Sequence, residues 1–79
     1  MIQFYFKRGC PFCKRVLETL HEEIAEDFEV HYKMRHPENE KIVHEKGGKV
    51  QFPLMLDEDV VMYESDAIIA YLQKNYGSP

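Results

Sequence analysis

Two cysteines, Cys10 and Cys13, stand near the start of this 79-residue chain and are the only two it contains. Pro11 and Phe12 separate them, and four cations, Lys7, Arg8, Lys14 and Arg15, flank them. A thiol attacks a disulfide only as its thiolate, so cations around a Cys-x-x-Cys pair favour thiol–disulfide exchange. Pro11 suits the first position of a helix, where its missing N–H costs nothing. Cys10 then takes the N-cap, facing unpaired backbone N–H groups and the positive end of the helix dipole. We therefore expect a depressed pKa and an exposed sulfur at Cys10. Cys13, one turn further on, falls on an apolar stripe, where the pKa should be higher and access poorer. That asymmetry makes Cys10 the attacking thiol and Cys13 the resolving one.

Other uses of two thiols fit less well. A bridge between positions 10 and 13 closes a tiny loop and removes little unfolded-state entropy. A pair of small buried hydrophobes is the structural alternative, but it leaves Pro11 and the cations without a purpose. One Cys-x-x-Cys supplies two of the four ligands of a closed zinc site, so no metal site is expected. A dimer sharing an iron–sulfur cluster stays open, since thiolates suit such clusters.

The elements that must hold these thiols follow from the hydrophobic periods. Ile2 to Phe6 is aromatic and β-branched and reads as a buried strand. Cys13, Leu17, Leu20 and Ile24, widened by Val16, form the stripe of an amphipathic helix over about 11–26. Phe28 to Tyr32 alternates apolar and polar, as a half-exposed strand does. Strand, helix and strand in so short a space imply a parallel βαβ unit with a right-handed crossover. His36-Pro37 opens a second helix, with Glu38 and Glu40 favouring its dipole, and Gly47-Gly48 ends it. Phe52–Leu56 and Val60–Tyr63 read as a hairpin around Asp57-Glu58-Asp59. Ser65 is expected to cap a last helix from Asp66 to about Tyr76, with Ile68, Ile69 and Leu72 buried. The order is β-α-β-α-β-β-α: one α/β domain over 1–79, a four-stranded mixed sheet with three helices. Cys-x-x-Cys at the first βα junction gives this the look of a thioredoxin-like fold.

Composition narrows the partners. A net charge of −4 gives a nucleic acid or an anionic membrane no general electrostatic support. No stretch approaches the roughly 20 apolar residues of a membrane span, and the N-terminus lacks the pattern of a signal peptide. We expect a cytoplasmic monomer, in a compartment where a Cys pair is more often catalytic or metal-binding than structural.

Lys7-x-x-Cys10-Pro11-Phe12-Cys13, followed by Phe52-Pro53 before a hairpin and by an acidic helix start, resembles a dithiol glutaredoxin along nearly the whole chain. The resemblance implies that Pro53 is cis beside the nucleophilic Cys10. It implies that Phe52 pairs its backbone with the cysteinyl part of glutathione and that Lys7 meets the glycine carboxylate. It places Phe12 on the wall of the site, and Ser65 and Asp66 at the γ-glutamyl end. Glutathione would be the co-substrate, with no tightly bound cofactor, and disulfide-containing or glutathionylated proteins would be the partners.

Two departures stand out. Gln51-Phe52 replaces the Thr-Val common before this proline. Tyr63-Glu64-Ser65-Asp66 replaces the usual glycine pair, and a Glu64-Ser65 helix start is similar to the glutathione-binding half of glutathione S-transferases. No helical second domain follows Pro79, so we do not expect a complete transferase. The leading expectation is a glutathione-dependent oxidoreductase. A thioredoxin-reductase-dependent redoxin and an iron–sulfur carrier dimer are the alternatives, separable by the reductant that restores the oxidised protein and by the colour of protein purified anaerobically.

Overall fold

The computed structural model describes residues 2–22 and 30–77. Within them β1 (Ile2–Phe6), α1 (Pro11–Glu22), β2 (Val30–Met34), α2 (Pro37–Gly47), β3 (Leu54–Asp57), β4 (Val60–Met62) and α3 (Ser65–Tyr76) follow the expected order. The sheet order is β2-β1-β3-β4. β1 runs parallel to β2, with Phe4 opposite Tyr32, and antiparallel to β3, with Phe4 opposite Met55. β4 pairs antiparallel with β3. This is the four-stranded mixed sheet of a thioredoxin-like fold.

The central strands β1 and β3 are buried on both faces, which is why they read as almost continuous apolar runs. Ile2, Phe4 and Met55 pack with Val16 and Leu20 of α1 and with Ile68 and Leu72 of α3. Tyr5, Leu54 and Leu56 point the other way and cluster with Val43 of α2, flanked by Phe52 and Tyr63. The period of two along a strand thus divides the core between the layers. At the edge, Tyr32 and Met34 of β2 remain exposed. α1 is described as far as Glu22, so the expected continuation to 26 and the start of a strand at Phe28 lie outside the described residues. β2 itself runs to Met34, two residues beyond the expected end.

Local chemistry sets the boundaries. His36 is extended and its Nδ1 accepts the Glu38 N–H at 3.3 Å, capping α2 with Pro37 in the first turn. Gly48, in the left-handed region, closes α2 through its N–H to the His44 carbonyl. The β3–β4 turn is tighter than the sequence suggests. Asp57 belongs to β3, leaving Glu58 (φ 52°) and Asp59 to turn the chain.

Two tyrosines make connections across the fold. The Tyr63 hydroxyl donates to the carbonyls of Lys49 (2.5 Å) and Val43 (3.3 Å). It thereby ties the entry to α3 onto the end of α2. Gly47 permits this approach, because a Cβ there would fall inside the Tyr63 phenol. Behind the hairpin, the buried Asp57 carboxylate accepts the hydroxyls of Tyr71 (2.7 Å) and Tyr76 from α3. Those contacts hold both tyrosines' pKa values up at about 12 through hydrogen bonding to Asp57, then burial, then its negative charge.

Candidate functional site

Central strand β1 ends at Phe6 and delivers the chain to α1 through a tight turn. Gly9 adopts φ 71°, where an L side chain would be strained although nothing lies within 4 Å of its Cβ position. The turn seats Cys10 at the N-cap of α1. Its carbonyl accepts the Lys14 N–H at 3.0 Å and its sulfur accepts the Cys13 N–H at 3.3 Å. The sulfur therefore stands where a serine or aspartate oxygen often caps a helix, satisfying a free first-turn donor.

Burial acts against ionising Cys10, but other effects outweigh it and its pKa is lowered. The Cys13 thiol, the backbone N–H groups of Cys13 and Phe12, and the charge of Lys7 all favour the thiolate. Cys13 moves oppositely, pushed up to about 12 by burial first and then by its thiol's hydrogen bond to Cys10. The expected asymmetry is present. The expected exposure of Cys10 is not: the residue is only 8% exposed, against 56% for neighbouring Phe12. Capping accounts for this, because a sulfur turned back onto the Cys13 N–H is turned away from solvent. Both thiols are free.

The nine residues nominated by the sequence do not share a single cavity. Cys10, Cys13 and Lys7 line a cleft of about 490 Å³ with Phe6, Arg8, Gly9, Pro11, Lys14 and Leu17. Phe12, Phe52, Pro53, Glu64, Ser65 and Asp66 line a second, of about 260 Å³, with Gln51 and Tyr63. Lys7 and Phe52 also line a third, of about 420 Å³, with Gln51, Val50, Arg35 and Glu40. Lys7 links the first to the third, and Phe52 links the third to the second.

The Phe52–Pro53 bond is cis. Phe52 is half-buried, its ring packed against the core between sheet and α2 as well as lining two clefts. Ser65 does not cap α3. Glu64 is the N-cap, extended at φ −79° and ψ 131°, its carbonyl accepting the Ile68 N–H and its side chain making no cap bond. Ser65 is instead the first helical residue and is buried. An extended Glu64 starts the helix one residue earlier than Ser preference alone suggests. Asp66 is exposed and pairs with Arg15 of α1 at 2.8 Å.

Gln51, expected in the loop with Phe52 and Pro53, lines two of these clefts, whereas the sequence gives neither Tyr63 nor Arg35 as a site residue. Tyr63 read as a strand residue, and its hydroxyl contacts depend on packing no local pattern encodes. Arg35, half of an exposed pair with Glu40 at 2.7 Å, gave no signal. Among the described residues no three His, Cys, Asp or Glu side chains gather as metal ligands, and no helix is long and apolar enough to cross a membrane.

The cis proline thus shares a cleft with Phe12 of the Cys-capped helix and with the Glu-Ser start of α3. The family model for the glutathione S-transferase N-terminal domain matches residues 4–79. The chain belongs to that family. The glutathione S-transferase N-terminal domain is thus the established kinship, in line with the resemblance noted at the Glu64-Ser65 start. No curated protein matches the sequence. Among solved structures, the chain is similar to a glutathione S-transferase from the Antarctic clam Laternula elliptica. The two share 29% identity at a TM-score of 0.78, over 95% of this chain and 35% of that one. A glutathione transferase homologue from Drosophila mojavensis, solved with bound glutathione, is 27% identical at a TM-score of 0.77, over 98% and 36% of the two chains. A delta-class transferase from Nilaparvata lugens, at 23% identity and a TM-score of 0.79 over 100% and 38%, shows the shared fold. This transferase-type domain spans a little over a third of the length of those relatives.

Proposed function

We propose that this domain binds glutathione and carries out glutathione-dependent thiol–disulfide exchange at Cys10. The observation that carries the reading is the Cys10 sulfur at the N-cap of α1, accepting the Cys13 N–H at 3.3 Å with its pKa lowered. Kinship with glutathione S-transferases supports glutathione as the co-substrate, with no tightly bound cofactor required.

In this reading glutathione lies across the linked clefts. Its cysteinyl backbone pairs with Phe52 next to cis Pro53, and Lys7 meets the glycine carboxylate. The γ-glutamyl carboxylate sits at the start of α3, where Ser65 and free first-turn N–H groups suit an anion. Glu64 and Asp66 balance the ammonium, Asp66 while still paired to Arg15. Phe12, exposed, covers the second cleft.

For a glutathione mixed disulfide, the Cys10 thiolate attacks the glutathione sulfur. A Cys10–glutathione disulfide forms, and the substrate leaves as a thiolate that takes up a proton. A second glutathione thiolate attacks the bound glutathione sulfur, giving glutathione disulfide and restoring the Cys10 thiolate. For a protein disulfide, Cys10 first bonds to one substrate sulfur and releases the other. Cys13, losing its proton, then attacks the Cys10 sulfur, frees the substrate as a dithiol and leaves a Cys10–Cys13 bridge. Two glutathiones reduce the bridge and depart as glutathione disulfide. Burial of Cys13 keeps it protonated until Cys10 carries a disulfide.

The test is glutathione-dependent reduction of a mixed disulfide by the wild type and both Cys→Ser variants. Cys10→Ser should abolish turnover, and Cys13→Ser should keep deglutathionylation but lose reduction of protein disulfides. A fully active Cys10→Ser protein would sink the proposal. The family match favours one second reading, transfer of glutathione to an electrophile as transferases do. Conjugation of a chlorinated aromatic substrate that survives Cys10→Ser would select it.

A further inference from the structure

We propose that the cleft beside the two thiols is the docking site for the disulfide substrate, and that it selects an acidic peptide segment with an apolar core. The inference rests on the exchange chemistry proposed at Cys10 and adds the class of substrate. Of the cations near the thiols, Arg15 is paired with Asp66, and Arg35 is paired with Glu40. Lys7, Arg8 and Lys14 have no ion-pair partner among the described residues, and all three line the thiol cleft. Among the described residues no acidic side chain lines it, although the chain as a whole carries a net charge of −4. Its floor is apolar, built from Phe6, Pro11, Cys13 and Leu17.

Lys7 is partly offset by the Cys10 thiolate, so Arg8 and Lys14 are the cations that leave a local positive potential around this apolar floor in an acidic protein. Such a surface attracts carboxylates and repels lysine-rich segments, and like-charge juxtaposition excludes wrong partners more effectively than a new contact recruits right ones. A volume of about 490 Å³ falls within the roughly 300–1,000 Å³ of typical ligand clefts. Cys10 lines this cleft and does not line the one against α3. A substrate cysteine joined to Cys10 therefore places its flanking residues beside Arg8 and Lys14, leaving Lys7 and the far cleft to glutathione. The covalent step is the one already given: Cys10 bonds to one sulfur of the substrate disulfide and the other leaves as a thiol.

The experiment uses three peptides with one apolar core around a central cysteine and acidic, neutral or basic flanks. Symmetric disulfides of each are mixed with the reduced protein, and release of peptide thiol is followed in a single turnover. Serine-for-cysteine versions are titrated onto the protein by heteronuclear NMR, which needs no chemistry. Each exposed charge contact is worth roughly 1.4- to 5-fold, so Arg8 and Lys14 together give the acidic peptide an advantage over the neutral one of roughly sevenfold, lost at high salt. The shifts should centre on Arg8, Gly9 and Lys14, and Arg8→Gln with Lys14→Gln should erase most of the preference. Equal affinity for acidic and basic peptides, or shifts elsewhere, overturns the inference. Acidic-selective binding without thiol release from any peptide keeps the docking site and overturns the exchange chemistry instead.

Discussion

Removing the Cys13 thiol should change how Cys10 reacts with pH, and in a direction that separates two donors. Among the effects lowering the Cys10 pKa, the Cys13 side chain comes first and its backbone N–H next. Cys13→Ala deletes the first and keeps the second, which bonds at 3.3 Å. A hydrogen bond to a charged acceptor contributes about 1.5–3 kcal/mol. A thiol is a weak donor, so about 1–1.4 kcal/mol is the appropriate loss, a five- to tenfold smaller thiolate population at acid pH. The thiolate that remains is more basic and more nucleophilic, with a Brønsted coefficient of about 0.4–0.5. The opposing effects leave Cys13→Ala roughly two- to fourfold slower on the acid limb and about two- to threefold faster on the alkaline plateau. Cys13→Ser, whose hydroxyl donates better, should keep the wild-type profile or move it to lower pH. The assay is stopped-flow exchange with a small uncharged disulfide, with the product located on Cys10 by mass spectrometry. If the Ala and Ser profiles superimpose along both limbs, the thiol donor is not what stabilises the Cys10 anion and the reasoning fails.

Three further outcomes test the scaffold. Cys13, Tyr71 and Tyr76 all have raised folded pKa values, about 12 against reference values of 9.0 for the thiol and 10.0 for the phenols. Their contribution is complete below the reference values, so denaturant stability should fall as pH rises from 9 towards 12, and Asp57→Asn should move the tyrosinate absorbance titration back towards its reference. Gly47→Ala drives a methyl into the Tyr63 phenol and should cost about 1–3 kcal/mol by urea denaturation. It should also weaken glutathione binding, because Tyr63 holds Lys49 near the Gln51–Pro53 wall; an unchanged midpoint would contradict that contact. Leu72→Ala, fully buried between α1, α3 and the sheet, should lose about 2–5 kcal/mol. A chain of this length has a total of about 4–12 kcal/mol, so the midpoint should drop sharply at constant m, and a loss below 1 kcal/mol would mean the interface is loosely packed.

Kinship was legible in the residues only in part. Lys7, Cys10, Cys13 and Phe52-Pro53 resemble glutaredoxins, whereas the family match is to the transferase N-terminal domain, which shares the thioredoxin-like frame. The sequence hint of the transferase half was the short Glu64-Ser65 pair, whose signal is weak because serine near a helix start is common in any fold.

What the sequence determined by itself is what local forces decide. Apolar periods of 3.6 and 2 set the element order, Pro11 and Pro37 set two helix starts, and a cysteine one residue before a helix caps it by accepting a first-turn N–H. Tertiary structure decided the rest. It divided the site residues among three clefts and packed the Phe52 ring into the core between sheet and α2. It also turned Asp57 from a turn residue into the acceptor of two α3 hydroxyls. These features join residues 14 to 20 positions apart or more, and depend on which side chains meet when the layers close. Backbone period and capping preference act within a turn or two of helix or strand, so they cannot encode those meetings.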